Sequence, residues 1–309
     1  PTSKFDDYRI EQKIGDQLAA QGFFEIMTNS LTSPDHSILS EDLSDEHLVK
    51  MMNPLSADLS VLRQSMLFTG LEVIAYNINR KNQNLKFFEF GNTYSQIEGK
   101  RIEQKNLALY ITGNRHNDSW IVPNKKSDFF HLKSTVLNIL DRLGVNVTDS
   151  RPIEGDIFSE GISLRIKNSV IARLGVIKKS VLRHFDIKQE VLYAQMNWES
   201  ILDLARRNEI LVKEITKYPE VKRDLALLLN ERTSFKEIYN MAHSTEKKLL
   251  KNVTLFDVYT GKSLPKGKKS YAVGFTLQDE KSTLTDTQID KIMKKLQDRY
   301  ESELGATLR

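Results

Sequence analysis

The sequence predicts an α+β protein in which an antiparallel sheet with packed helices is followed by a βαββαβ ferredoxin-like domain. Three observations support this prediction. Helix-like and strand-like patterns alternate irregularly through the first two thirds of the chain, with several strands clustered as hairpins. The last third follows the order of a split βαβ unit. The chain has 309 residues, of which 39% are hydrophobic, and this is enough for two domains, which we divide at Lys217, just before the Tyr218-Pro219 turn.

Helices and strands of the first domain follow from the spacing of apolar residues. Helical spacing is found at 5–21, 62–81 and 129–144, and Gly22 can end the first of these helices. Strands are predicted at 23–31, 85–91, 106–112 and 192–198. The segments 162–166 and 170–177 flank the polar Lys167-Asn168-Ser169, which predicts a hairpin.

The last third has a more regular pattern. It predicts a strand at 223–230, a helix at 234–243 that Thr233 or Ser234 can cap, and two pairing strands at 252–259 and 270–278. A helix at 285–304 and a short strand at 306–309 complete the order βαββαβ. Domains with this order include RNA-binding modules.

The net charge of +4 is distributed unevenly between the two domains. Residues 217–309 contain 18 basic and 13 acidic residues, which gives a net charge of +5. The remaining residues contain 27 basic and 28 acidic residues, which gives a net charge of −1. Lysine and arginine side chains release counterions when they bind phosphates, so a basic small domain favours a nucleic-acid partner.

Several kinds of site are excluded by composition and spacing. Without cysteine the chain has no disulfide, thiolate metal site or cysteine nucleophile. No two glycines lie closer than six residues, which excludes the dinucleotide-binding and P-loop motifs, and no two histidines have metal-ligand spacing. The longest aliphatic run, residues 225–229, is far shorter than the roughly 20 residues of a membrane helix. We therefore expect no membrane partner.

Short motifs along the chain resemble one family. In the first two thirds they are Leu62-Arg63-Gln64-Ser65-Met66-Leu67, Gly70-Leu71, Asn77-x-Asn79-Arg80, Phe88-Glu89-Phe90-Gly91, Trp120, Asp128-Phe129-Phe130-x-Leu132-Lys133 and Ala172-x-Leu174-Gly175. In the last third they are Tyr218-Pro219, Arg223-Asp224-Leu225, Phe256-Asp257-x-Tyr259-x-Gly261, Leu264-Pro265-x-Gly267-x-Lys269-Ser270 and Thr283-Leu284-Thr285-Asp286. In this order they resemble the C-terminal portion of the bacterial phenylalanyl-tRNA synthetase β subunit over nearly the whole chain.

The resemblance implies a class II synthetase-like core at 1–207 and a ferredoxin-fold anticodon-binding domain at 217–309. In that family the catalytic site belongs to the α subunit, and the β core is a non-catalytic relative that packs on α. The sequence agrees, since the predicted strand 85–91 carries no arginine that could hold ATP. Neither catalytic residues nor metal ligands are therefore expected in this chain.

The same resemblance implies a place for the chain in a larger enzyme. Its partners would be the catalytic α subunit and the anticodon stem-loop of tRNA, in the cytoplasm. ATP and Mg²⁺ would be used by the whole enzyme, with no cofactor in this portion. The sequence begins at Pro1 and runs directly into an amphipathic helix, so we expect it to belong to a longer polypeptide.

The matching residues of the last third predict an RNA-binding site. Tyr259 is expected to stack on an unpaired base, with Ser270 beside it and Asp257 close by, because the predicted hairpin brings both ends of the motif together. A tyrosine in an apolar strand can also be a simple packing residue, but the cations that follow it suit a base with its phosphates. These cations are Lys262, Lys266, Lys268 and Lys269.

The first domain is expected to carry the subunit contact. We place it around the predicted helix 62–81, including Met66 and Leu67, because the nearly neutral charge of this domain suits a protein interface better than phosphates.

Two other functions stay open on the sequence. A self-sufficient ATP-dependent ligase would need a pair of arginines to hold ATP, and the sequence does not place them. A general single-stranded RNA-binding module is suggested by Lys269-Ser270-Tyr271-Ala272-Val273-Gly274-Phe275, which loosely resembles an aromatic RNA-binding strand. That module would leave the large neutral domain unexplained.

Overall fold

The fold is described from a computed structural model, in which residues 6–153, 155–208, 212, 214–261 and 263–309 are described. The chain divides into two compact units, Pro1–Ile210 and Leu211–Arg309.

The first unit contains five α-helices, three short 3-10 helices and ten strands among its described residues. The helices are α1 (Asp7–Ala20), α2 (Leu67–Asn79), α3 (Phe129–Arg142), α4 (Lys179–His184) and α5 (Trp198–Arg206). The strands are β1 (Phe24–Glu25), β2 (Leu31–Thr32), β3 (Val49–Lys50), β4 (Val61–Leu62), β5 (Leu85–Ile97), β6 (Lys100–Thr112), β7 (Asp149–Ile153), β8 (Phe158–Ile166), β9 (Ser169–Ile177) and β10 (Val191–Asn197).

A seven-stranded sheet forms the centre of this unit, with the strand order β1-β5-β6-β10-β9-β8-β7. Only the short β1 pairs in parallel, and the other neighbours are antiparallel. Successive side chains of β6 alternate between two hydrophobic cores. Leu107 and Leu109 join a core that includes residues of α1, α3 and α5, whereas Ala108 and Tyr110 join one that includes residues of α2 and α4. The sheet therefore has helices on both faces.

The structure differs from the sequence prediction at several places in this unit. β5 and β6 are longer than the strands predicted at 85–91 and 106–112, and β3, β4, β7, α4 and α5 were not predicted. The strand predicted at 23–31 is replaced by the two short strands β1 and β2. The helix predicted at 62–81 begins only at Leu67, because the backbone of Arg63 is already bonded on both sides. Its N–H donates to Ser30 O at 2.9 Å, and its carbonyl oxygen accepts from Tyr94 N at 2.8 Å. These bonds keep the segment before Leu67 outside the helix.

The second unit confirms the predicted order βαββαβ. Its elements are β11 (Val221–Asn230), α6 (Phe235–Thr245), β12 (Leu250–Tyr259), β13 (Lys268–Leu277), α7 (Asp286–Leu304) and β14 (Thr307–Leu308). The four strands form an antiparallel sheet in the order β12-β13-β11-β14. Capping boxes begin both helices, with Ser234 paired to Glu237 and Thr285 paired to Gln288.

The two faces of this second sheet have different surroundings. Val273, Phe275 and Leu277 of β13 are fully buried in a core that also includes residues of α6 and α7. The alternating residues of the same strand, Ala272 and Gly274 among them, point to the opposite face. We call this opposite side, which neither helix of the unit covers, the open face. Among the described helices of the whole chain, none is both long and apolar enough to cross a membrane.

Candidate nucleic-acid interface

The structure places the predicted pair Tyr259 and Ser270 directly opposite each other. They are partners in the antiparallel pairing of β12 with β13. Residues opposite each other in such a pair have side chains on the same face of the sheet, and for this pair it is the open face. Ser270 is buried, whereas Tyr259 keeps 40% of its surface exposed. A planar ligand can therefore reach the tyrosine ring.

The ring of Tyr259 is held by the loop that follows it. Its hydroxyl group shares a 2.8 Å hydrogen bond with Ser263 Oγ. A Cβ atom on Gly261 would lie 2.4 Å from the tyrosine hydroxyl oxygen, so only glycine permits this close approach. The Arg309 guanidinium carbon lies 5.4 Å from the ring centroid, within the range of a cation–π contact. The ring is thus positioned before any ligand binds.

The other residues predicted to bind RNA lie at different distances along the strands from Tyr259 and Ser270. Asp257 is exposed and lies opposite Ala272, two positions along β12 from Tyr259. Lys268 is partly exposed at the beginning of β13, opposite Asn230, and Lys266 is exposed in the preceding loop. Lys262 lies outside the described residues. The structure thus brings Asp257 and Lys268 to the same end of the open face as Tyr259.

Lys269 is not brought to this face. It directly precedes Ser270 on β13, so by alternation its side chain points to the helix-covered side, where it is only 9% exposed. Its Nζ lies 4.5 Å from the centroid of the Tyr271 ring, which belongs to the core of the unit. The expectation that Lys269 meets a phosphate beside Tyr259 does not fit this position, and we leave Lys269 out of the interface.

Three further residues of the open face were not anticipated. Phe256 lies at a β-bulge between Leu255 and Asp257, and it shares this face with Asp257. Asp224 of β11 lies opposite Gly274, and Arg309 follows the last strand. The alternation of side chains along β11 could have placed Asp224 on this face from the sequence alone. Neither the bulge in β12 nor the contact of Arg309 with Tyr259 could be predicted from the neighbouring sequence.

The first unit has a cleft of about 520 Å³ over its sheet. Arg173 is the lining arginine, and it donates to Asp42 Oδ2 at 2.7 Å. Asp156, also in the lining, accepts from Ser40 Oγ and from the backbone N–H of Glu41. No lysine is among the described lining residues of this cleft. The described part of the chain also has no cluster of three residues suited to a metal ion.

The subunit contact predicted around Met66 and Leu67 is wrong for these two residues. Both side chains are fully buried in the hydrophobic core under α2. Neither can touch a partner without disrupting this core.

Two family models match the chain in succession. The model described as the phenylalanyl-tRNA synthetase beta chain CLM domain matches residues 2–198. The model described as the ferredoxin-fold anticodon-binding domain matches residues 216–309.

Relatives agree with these models. The phenylalanine–tRNA ligase beta subunit of Bacteroides thetaiotaomicron is 47% identical over 97% of this chain, and that of Porphyromonas gingivalis is 37% identical over 98%. The corresponding subunit of Clostridium acetobutylicum is 32% identical over the full chain. In each case the chain spans 38% of the length of the relative.

A solved structure supports the fold alone. It is a pyrrolysyl-tRNA synthetase from Desulfitobacterium hafniense, with a TM-score of 0.51 and 14% sequence identity. The likeness covers 64% of this chain and 68% of that structure. Together with the two family models and the relatives, the fold leads to one conclusion: the chain belongs to the family of phenylalanyl-tRNA synthetase beta chains.

Proposed function

We propose that this chain is the non-catalytic C-terminal part of a phenylalanine–tRNA ligase β subunit, whose first unit packs on the catalytic α subunit and whose second unit binds the anticodon region of tRNA. The whole enzyme would use ATP and Mg²⁺ to join phenylalanine to tRNA in the cytoplasm. The cleft of the first unit supports a non-catalytic role, because its arginine is paired with a carboxylate. The same pairing disfavours a self-sufficient ligase.

The observation that carries the RNA-binding half of the proposal is the pair Tyr259–Ser270 on the open face. An anticodon loop presents unstacked bases, which proteins distinguish by stacking on aromatic rings and by hydrogen bonds to base edges. Tyr259 supplies a half-exposed ring, and Asp257 supplies a nearby acceptor. Lys266 and Lys268 lie at the end of the face where the phosphates of that nucleotide would pass.

Replacing Tyr259 with Ala is expected to weaken tRNA binding by about 1–3 kcal/mol, because one base loses its stacking partner. The measurement is a fluorescence-anisotropy titration of the full 309-residue chain with tRNA that carries the phenylalanine anticodon. Circular dichroism of the variant checks that the second unit stays folded. Unchanged affinity in a folded variant would mean that Tyr259 only packs against its loop.

Lys268→Ala serves as the comparison in the same titration. A phosphate contact carries no base information, so this variant should weaken binding of cognate tRNA and of tRNA with an altered anticodon equally. The slope of log K against log salt should fall by about one unit. If neither tRNA binds the unaltered chain, the RNA-binding half of the proposal is wrong.

An exposed apolar loop of the first unit supports the packing half of the proposal. All residues from 51 to 59, which connect β3 to β4, are exposed, and the loop is closed by a 2.9 Å bond from Met51 N to Ser60 O. Met52 and Leu55 are almost fully exposed. Leu59 and the almost fully exposed Met27 line one shallow groove. Methionine and other large apolar side chains that cluster in solvent are typical of protein interfaces.

The double variant Met52→Asp with Leu55→Asp is expected to lower the recovery of the complex with the catalytic subunit by about tenfold or more, because two carboxylates would be desolvated in the interface. Co-expression of both subunits followed by affinity purification measures this recovery. Tyr239→Asp is the matched control, since it places a carboxylate on an exposed side chain of α6 in the other unit. If the double variant is recovered as well as the control, the contact with the catalytic subunit does not involve this loop.

A further inference from the structure

Phe256 is an aromatic residue on the open face that the Tyr259 site does not use. It lies at the β-bulge of β12, where the register shifts between Leu255 and Asp257, and 59% of its surface is exposed. A bulge turns two successive side chains toward one side of a sheet. Phe256 and Asp257 therefore both point to the open face, although simple alternation would separate them.

The ring of Phe256 lies against Gly274 of the neighbouring strand. Its Cδ1 and Cε1 atoms would be 3.7 Å from a Cβ atom at this glycine, which is ordinary van der Waals contact. Asp224 Oδ1 would be 3.1 Å from the same point. The glycine thus leaves a shallow seat with an aromatic ring on one side and a carboxylate on the other. In the described part of the chain, the Asp224 carboxylate has no hydrogen bond or ion pair of its own.

The spacing of the two aromatic residues suits a short single strand. Phe256 and Tyr259 lie three positions apart on β12; the ring of Phe256 reaches toward Gly274, and Tyr259 lies opposite Ser270. At about 3.3 Å per residue the two positions are about 10 Å apart, which exceeds one nucleotide step. Ala272 lies midway between them, so no large side chain of β13 obstructs a base at that point.

We propose that Phe256 is a second base-stacking platform, with Asp224 as the acceptor beside it. This inference rests on the RNA-binding function proposed above. The open face then takes three consecutive nucleotides, of which the outer two stack on Tyr259 and Phe256 and the middle one lies over Ala272. Because a carboxylate only accepts hydrogen bonds, Asp224 selects a base that presents an amino group at this position.

The test uses the full chain and an anticodon stem-loop RNA that carries 2-aminopurine at one loop position at a time. Stacking on an aromatic ring changes the fluorescence of 2-aminopurine. We expect large changes at two positions separated by one nucleotide. Phe256→Ala should abolish the change at one of them, and Tyr259→Ala should abolish it at the other. Each variant should also weaken binding by about 5- to 150-fold.

Conservative variants separate stacking from apolar packing. Phe256→Tyr retains a ring and should retain the signal, whereas Phe256→Leu retains apolar bulk and should behave like Phe256→Ala. Phe256→Trp adds a direct reporter, whose own fluorescence should change when RNA binds. Gly274→Val fills the seat and should remove the Phe256-dependent signal while the Tyr259-dependent signal remains.

The outcomes distinguish this inference from the function on which it rests. If no loop position responds and no RNA binds, the RNA-binding proposal itself is wrong. If RNA binds with a Tyr259-dependent signal but Phe256→Ala and Phe256→Leu both bind like the unaltered chain, the second platform is overturned and the first stands. Loss of co-purifying catalytic subunit in Phe256→Ala, without any change in RNA binding, would instead assign Phe256 to a protein contact and overturn the inference.

Discussion

Replacing Arg63 with Met is expected to lower the free energy of unfolding of the first unit by about 3–5 kcal/mol, because it leaves a buried carboxylate without its partner. Arg63 and Glu89 form a 3.0 Å ion pair in which each side chain is only 2% exposed. The same guanidinium group donates to Asn92 O at 2.9 Å and to Thr28 Oγ1 at 2.5 Å. Glu89 would then keep hydrogen bonds from Thr28 but no positive charge.

Urea unfolding followed by tryptophan fluorescence measures this loss, since the described Trp120 and Trp198 both belong to the first unit. The control is the double variant Arg63→Met with Glu89→Leu, which removes both charges. Replacing both partners of a buried pair with apolar residues is often neutral, so the double variant should regain much of the stability. A single variant within about 1 kcal/mol of the unaltered chain would show that the pair adds little.

Hydrophobic periodicity correctly predicted those helices and strands whose buried side chains can be recognised from the spacing of apolar residues in the local sequence alone. In α3, Leu132, Val136 and Ile139 recur at helical spacing and all three are fully buried. The hairpin of β8 and β9 was equally predictable, because its polar turn separates two apolar segments. Both the order βαββαβ and the α+β class follow from such local patterns, and the structure confirms them.

The beginning of α2 could not be predicted, because it depends on residues distant in sequence. Apolar spacing from 62 onward suggests a continuous helix, but Arg63 is held outside it by its bonds to Ser30, Tyr94 and Glu89. Such contacts are specified by the sheet that forms around them and not by the segment itself. The same cause explains why Met66 and Leu67 are core residues instead of interface residues.

In the candidate RNA site, too, the features that depend on the local sequence were predictable, and those that depend on distant residues were not. A regular hairpin predicted that Tyr259 and Ser270 meet, and strict alternation already separates Ser270 from Lys269. The bulge that leaves Phe256 and Asp257 on the same face interrupts that alternation, and the sequence around it gives no sign of the extra residue. The position of Arg309 beside Tyr259 depends on the pairing of β14 with β11.

Gly70→Ala is expected to destabilise the first unit by about 3 kcal/mol or more, although alanine is the better helix former by about 1 kcal/mol. A Cβ atom at this position of α2 would lie 2.2 Å from Tyr110 Cζ and 2.5 Å from its hydroxyl oxygen. The tyrosine cannot move aside, because its ring is fully buried against Tyr193 and its hydroxyl donates to Met66 O at 2.6 Å. Displacing it would also leave that buried hydroxyl without an acceptor.

A matched control and a double-mutant cycle identify the cause of this loss in the same urea titration. Gly15→Ala is the control in α1, where the new Cβ atom would lie 3.7 Å from the Phe88 ring, an ordinary contact. It should be neutral or stabilising by up to about 1 kcal/mol. In a Tyr110→Ala background the ring is absent, so Gly70→Ala should change sign and become neutral or stabilising. A loss of the same size in that background would show that the cost comes from the helix backbone and not from the buried tyrosine.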